Sequence, residues 1–229
     1  MATVRDLGLL ANAVYETSPS APGWTCADGH AAAGAMDGFQ AATFVKGDIT
    51  VVAFRGTSQA MDGAADLALF TGMNSSYFAA GEAYAASLVG KENVVVCGHS
   101  LGGAIAQVVA NRRGFRMVTF NAPGVATFAT RNIGEALVQP AVGLRIAGNI
   151  AGAFIHPMQA ARDVRAIFNV VQGLNICLDY DIVSHLGVHY GKVLRVPGPS
   201  KNPKTEHLMD TVNAVLAKPG LGDRNVMFL

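Results

Sequence analysis

The chain has 229 residues, of which 51% are apolar and only 14% charged, a length that suits one α/β domain and a composition that readily fills a large core. Lys and Arg total 17 against 16 Asp and Glu, for a net charge of +1. That balance gives no reason to expect a nucleic-acid partner or strong electrostatic attraction to anionic membranes.

The predicted elements begin with a helix over residues 4–15, where Val4, Leu7, Leu10, Ala11 and Val14 recur at helical spacing. Residues 18–38 are turn-rich, with Pro19, Pro22 and several glycines. Two strands follow at 39–45 and 49–54, joined tightly through Lys46-Gly47-Asp48 as a hairpin. Residues 55–74 carry no strong strand signal, and 77–89 reads as a helix.

The apolar run Val94-Val95-Val96-Cys97 then enters Gly98-His99-Ser100-Leu101-Gly102, and a small-residue helical pattern follows. A Gly-x-Ser-x-Gly segment between a strand and a helix is an elbow: its Ser is exposed on a strained turn beside helix-terminal N–H groups that can receive negative charge. Further along, 117–120 is a short strand ending in Asn121-Ala122-Pro123-Gly124, and 127–169 reads as several inserted helices. Strands return at 174–178 and 188–196, and a last helix covers 204–216. The alternation predicts an α/β fold with a mostly parallel central sheet flanked by helices. No internal repeat or linker divides it, so 1–229 is expected to be one domain.

Mean hydropathy is positive, +0.31, which fits an unusually apolar interior or an exposed patch that meets lipid. Cys26, Cys97 and Cys177 are odd in number and match no zinc spacing, so buried free thiols are expected and no metal or cofactor is called for. The start of the chain lacks a basic segment followed by an apolar one, so no Sec-type leader is predicted. The apolar stretch 144–155 is interrupted by Arg145, Asn149 and two glycines, and it falls short of the roughly 20 residues a membrane span needs. Cytoplasmic residence and export by a specialised system both remain open, the latter fitting a membrane-degrading toxin.

A Ser hydroxyl is a weak nucleophile near neutral pH, so Ser100 needs a base within hydrogen-bond reach and that base needs an orienting acid. In α/β-hydrolases the order along the chain is Ser, acid, His. His156, His185, His189 and His207 follow Ser100, whereas His30 comes too early. His99 is turned away by the elbow and is expected to pack or hydrogen-bond behind it. His207, near the start of the last helix, is the preferred base; His189, in a strand-like run, is second and reads more simply as a packed histidine. Asp181, just beyond the strand at 174–178, is the preferred acid, though spacing alone does not dismiss Asp179. The tetrahedral oxygen needs two donors. One is the backbone N–H of Leu101; the other is Thr57, at the strand end Phe54-Arg55-Gly56-Thr57.

Four blocks together resemble the class 3 lipases, the fungal triacylglycerol lipases with their bacterial and plant relatives. They are Val52-Ala53-Phe54-Arg55-Gly56-Thr57, Gly98-His99-Ser100-Leu101-Gly102-Gly103-Ala104, Phe120-Asn121-Ala122-Pro123-Gly124 and Asp181-Ile182-Val183, in the family's order. The resemblance implies an α/β-hydrolase fold with Ser100 as nucleophile, Asp181 as acid, His207 as base, and Thr57 and Leu101 as the oxyanion hole. It also implies a structural role for His189 and a lid at about 58–75, with Leu67, Phe70 and Met73 over the acyl site and Gly63 and Gly72 as hinges. Ile182 stands where the family more often has Pro, a change expected to alter the loop without removing the carboxylate.

These residues predict a serine carboxylester hydrolase, a lipase or phospholipase forming an acyl-enzyme on Ser100. The partners expected are a lipid or acyl-ester substrate and transient membrane contact, through the apolar insertion at 127–169 or the lid. An acyltransferase or small-ester esterase would use the same residues, and a hydrolase-like interaction protein without turnover is the alternative outside enzymes.

Overall fold

The protein is described here from a computed structural model covering residues 1–28, 38–56, 75–126 and 171–229. The expected insertion at 127–169, nearly all of the expected lid, Thr57, His30 and His156 lie outside these described residues.

Chain order runs α1 (Val4–Ala13), β1 (Thr25–Cys26), β2 (Ala41–Lys46), β3 (Ile49–Phe54), α2 (Ser75–Ala85), β4 (Val94–His99), α3 (Leu101–Arg113), β5 (Arg116–Phe120), β6 (Gly173–Leu178), β7 (Lys192–Val196), α4 (Pro203–His207) and α5 (Met209–Leu216). Among the described residues, one sheet holds seven strands in the order β1-β2-β3-β4-β5-β6-β7. The β1/β2 and β2/β3 pairs are antiparallel and the other four pairs are parallel. The expected α/β architecture with a mostly parallel sheet is therefore present.

Alternate residues of each strand face opposite layers. Val51, Ala53, Val95, Cys97, Val118, Phe120 and Ile176 join one core, closed by Leu7 and Leu10 of α1 and by Val212 and Leu216 of α5. Val52, Phe54, Val94, Val96 and Met117 join the other, beneath Phe78 of α2 and Ile105, Val108 and Val109 of α3. Strands covered on both faces are apolar throughout, which is why β4 reads as an unbroken apolar run and is wholly buried.

The end of α1 that begins the chain is fixed by a capping box: the Thr3 hydroxyl accepts from the Asp6 N–H and the Asp6 carboxylate accepts from the Thr3 N–H. Such a cap stabilises by roughly 1 kcal/mol. Backbone bonds from Val4 N–H to the Arg224 carbonyl and from Val226 N–H to the Ala2 carbonyl tie the two chain ends together.

Three elements differ from the sequence reading. The strand expected at 188–196 begins only at Lys192, because His189 and Tyr190 are bonded to side chains and loops instead of to a strand neighbour. The Tyr190 N–H donates to Gln107 Oε1, and the Tyr190 carbonyl accepts from Asn175 Nδ2. The helix expected at 204–216 is two helices, broken at Leu208, whose backbone is extended (φ −69°, ψ 139°). The two-residue β1 lies inside the stretch read as turns.

Candidate active site

The loops that leave the carboxyl ends of the parallel strands carry the candidate residues, the edge at which open α/β sheets bind their ligands. β4 delivers Ser100, β6 delivers Asp181 and the segment after β7 delivers His207.

Ser100 has φ 55° and ψ −125°, a conformation a non-glycine residue adopts only when its surroundings impose it. The surroundings here are backbone: the Ser100 N–H donates to the Phe120 carbonyl, and the Ser100 carbonyl accepts the Ala104 N–H that opens α3, both at 3.1 Å. The elbow must also be thin. A Cβ on Gly98 would run into the backbone of Gly102, and a Cβ on Gly102 into the Phe54 carbonyl. Leu101 is the first residue of the 13-residue α3. Its N–H belongs to the first turn, which has no acceptor within the helix, and sits at the positive end of the helix dipole.

Asp181 is completely buried, and His207 keeps 12% of its side chain exposed. The Asp181 carboxylate accepts N–H bonds from Val183 (3.3 Å) and Ser184 (2.9 Å), so it caps the short 3-10 turn Val183–His185. Ile182 has φ −66°, the value a proline ring would impose, so the turn keeps the course a proline would give it. The Asp181 Oδ1 lies 2.7 Å from His207 Nδ1, and His207 Nε2 lies 3.0 Å from Ser100 Oγ. A carboxylate only accepts, so the ring carries its proton on Nδ1 and turns the lone pair of Nε2 toward the Ser100 hydroxyl. Asp179, the competing carboxylate in the sequence, is exposed and away from this chain of bonds.

The other histidines among the described residues have other partners. His189 is buried and donates from Nε2 to the Ala122 carbonyl at 2.8 Å, and burial lowers its basicity. His185 is exposed at the carbonyl of Asp179. His99 lies behind the elbow, its ring centroid 4.7 Å from that of His207. Burial first, and then the neighbouring His207, push its pKa down from 6.5 to about 3.

Two residues at the site carried no role in the sequence reading. Asn121 has φ 45° and is fully buried; its Oδ1 accepts the Leu178 N–H and its Nδ2 donates to the Glu206 carbonyl. It thereby fastens the end of β6 to the segment that carries His207. Its sequence signal was the Asn-Ala-Pro-Gly turn, since Asn is among the few residues that tolerate positive φ. Glu206, also fully buried, accepts the Ser200 N–H on Oε1 at 2.6 Å and so anchors the loop leading into α4. Nothing in the local sequence pointed to that contact. Among the described residues, no group of three or more His, Cys, Asp or Glu side chains is placed to hold a metal ion.

A phospholipase-like family model, described as the Tle-like phospholipase domain, matches residues 6–191. The chain belongs to that family. Ser100 and Asp181 fall within the matched residues and His207 beyond them. The chain is also similar to an extracellular phospholipase A1 from Serratia liquefaciens, 33% identical over 102 residues, or 44% of this chain and 32% of that protein. It thus spans about a third of the length of the relative it matches. The expectation of a lipase or phospholipase family is met at that level, and the class 3 lipase placement stays a finer proposal. Among the described residues, no helix is long and apolar enough to cross a membrane.

Proposed function

We propose that this member of the phospholipase family is a serine carboxylester hydrolase that cleaves acyl esters of phospholipids through an acyl-enzyme on Ser100. The observation that carries the reading is the continuous chain of hydrogen bonds from Asp181 to His207 to Ser100, at 2.7 and 3.0 Å. The reaction begins when Ser100 Oγ attacks the ester carbonyl carbon and its proton passes to His207 Nε2. Charge on the carbonyl oxygen is met by the Leu101 N–H and by Thr57. Collapse breaks the bond to the alcohol oxygen, which takes the proton from Nε2 and leaves as the lysolipid. Water then gives a proton to His207, attacks the acyl carbon and releases the fatty acid, and the proton returns to Ser100.

Burial of Asp181 supports its part, because a carboxylate out of water stabilises the imidazolium that forms beside it most strongly. The choice of lipid rests on the phospholipase names of the matched family and relative. It is supported by the exposed apolar side chains of Tyr180 (46%), Ile182 (48%) and Leu208 (48%), each next in sequence to Asp181 or His207. Such a rim suits an aggregated substrate better than a small soluble ester. In this reading the chain resembles the class 3 lipases in arrangement, with residues 58–75 as lid and 127–169 as an acyl-facing insertion of one domain, and the enzyme acts after export.

The test is a hydrolysis panel of phospholipids, mono-, di- and triglycerides and short-chain esters with wild type and Ser100→Ala. Fatty acid release from phospholipid, lost in Ser100→Ala, supports the proposal. Equal turnover by both proteins removes Ser100 as the nucleophile, and turnover of short-chain esters alone removes the lipid assignment.

A further inference from the structure

We propose that Tyr15 and His99 act as positioning residues for this reaction, forming one hydrogen-bonded bridge that holds the end of β3 and the backbone of His207 in register with the elbow. The inference rests on the function proposed above.

The bridge begins with His207. In an uninterrupted helix its carbonyl would accept the N–H of Thr211. The break at Leu208 removes that partner, and His99 Nε2 approaches the carbonyl at 2.6 Å instead. A carbonyl only accepts, so Nε2 carries the proton, and His99 Nδ1 is left as an acceptor. Tyr15 Oη lies 3.2 Å from that Nδ1 and must donate to it. The same tyrosine oxygen accepts the Gly56 N–H at 3.1 Å. The sequence of donors is therefore fixed throughout: Gly56 N–H to Tyr15 Oη, Tyr15 O–H to His99 Nδ1, His99 Nε2–H to the His207 carbonyl.

Each end of the bridge meets one side of the reacting centre. At one end is the backbone of the residue whose ring faces Ser100. At the other is Gly56, which directly precedes Thr57 and is packed hard against the elbow. A Cβ at position 56 would lie 2.5 Å from Tyr15 Oη and 2.8 Å from the His99 carbonyl oxygen. Gly56 also spends its N–H on Tyr15, so any donor this strand end offers to a developing oxyanion comes from the next residue. Tyr15 further lies beneath the Arg55 guanidinium, 5.5 Å from its ring centroid. No part of Tyr15 or His99 needs to touch substrate for this role. The low basicity of His99 suits it, because the ring stays neutral and keeps its donor order when His207 takes up a proton.

The test compares wild type with Tyr15→Phe, which keeps the ring and removes only the hydroxyl. The measurements are kcat and KM on phospholipid vesicles, and the rate at which a fluorophosphonate labels Ser100. A misplacement of about 1 Å at a reacting pair lowers the rate by up to about a hundredfold. The expected result is a ten- to hundredfold fall in kcat and a parallel fall in labelling rate, with KM within about twofold. His99→Gln, which keeps a donor and an acceptor, should recover part of what His99→Leu loses. Adding Tyr15→Phe to His99→Leu should lower kcat no further, as members of one bridge are not additive. Unchanged kcat and labelling rate in Tyr15→Phe overturn the inference while leaving Ser100 in its role. A wild-type protein that hydrolyses phospholipid without labelling at Ser100 overturns both readings.

Discussion

The carboxylate of Asp181 receives three N–H groups, from Val183, Ser184 and His207, and only the last belongs to a side chain. Its orientation is therefore set by its own turn before His207 arrives, and the ring docks onto a fixed acceptor. Asp181→Asn has a single acceptor oxygen: it keeps the bond from the Ser184 N–H, gives up the longer one from Val183, and presents an NH2 to Nδ1, favouring the wrong tautomer. We expect kcat to fall by roughly 10³–10⁴-fold with the fold retained. Asp179→Asn, at the exposed neighbour, should leave kcat within about twofold of wild type. Parallel kinetics and circular dichroism on the two variants check both expectations.

Asn121 joins β6 to the segment carrying His207, through the Leu178 N–H and the Glu206 carbonyl. Asn121→Ala would strand both buried groups and place Ala at positive φ. Each unpaired buried group costs roughly 1–3 kcal/mol, so urea unfolding should report a loss of about 2–4 kcal/mol. A loss under about 0.5 kcal/mol, the size of an ordinary surface substitution, would mean that the contact does not secure this join.

The acid limb of the stability curve should carry a signature of His99. Its folded pKa is depressed from 6.5 to about 3, so below pH 6.5 the unfolded chain binds a proton that the folded chain refuses. Stability from this group is present above pH 6.5 and is lost as pH falls toward 3. One proton corresponds to about 1.4 kcal/mol per pH unit. Unfolding free energies measured from pH 7 down to 4 should therefore fall less steeply for His99→Gln than for wild type. Equal slopes would contradict the assignment.

Gly102 faces the Phe54 carbonyl so closely that Ala cannot be accommodated without moving β3 or the elbow. Gly102→Ala is expected to lower stability by about 1–3 kcal/mol, as overpacking of a close contact does. Esterase activity should fall further than the folded fraction does. Thermal melts read beside activity per folded molecule separate the two effects.

Much of this arrangement was legible in the residues. β4 is buried on both faces and so spells an apolar run, and the elbow needs glycine at 98 and 102, so the strand, the turn and the following helix were all visible. Asp179 and Asp181 both follow β6 closely, so spacing alone leaves the pair open, and it is Asp181 whose carboxylate lies 2.7 Å from His207 Nδ1. The unread parts rest on contacts between residues distant in sequence. The break at Leu208 is accompanied by a bond from the His99 ring to the His207 carbonyl, 108 positions away in sequence, and the Lys204–Leu216 pattern alone spells a continuous helix. Residues 188–191 alternate like a strand, but their hydrogen bonds go to Gln107, Asn175 and Ala122. Tyr15 looks like the last turn of an amphipathic helix, and only the packing of α1 against β4 brings its hydroxyl to His99.

The most direct measurement is mass spectrometry of the protein quenched during turnover of a slowly deacylating ester, followed by peptide mapping. The account predicts one acyl group on the peptide containing Ser100, accumulating in a burst and absent in Ser100→Ala. Steady hydrolysis with no adduct, or an adduct on another residue, would contradict it.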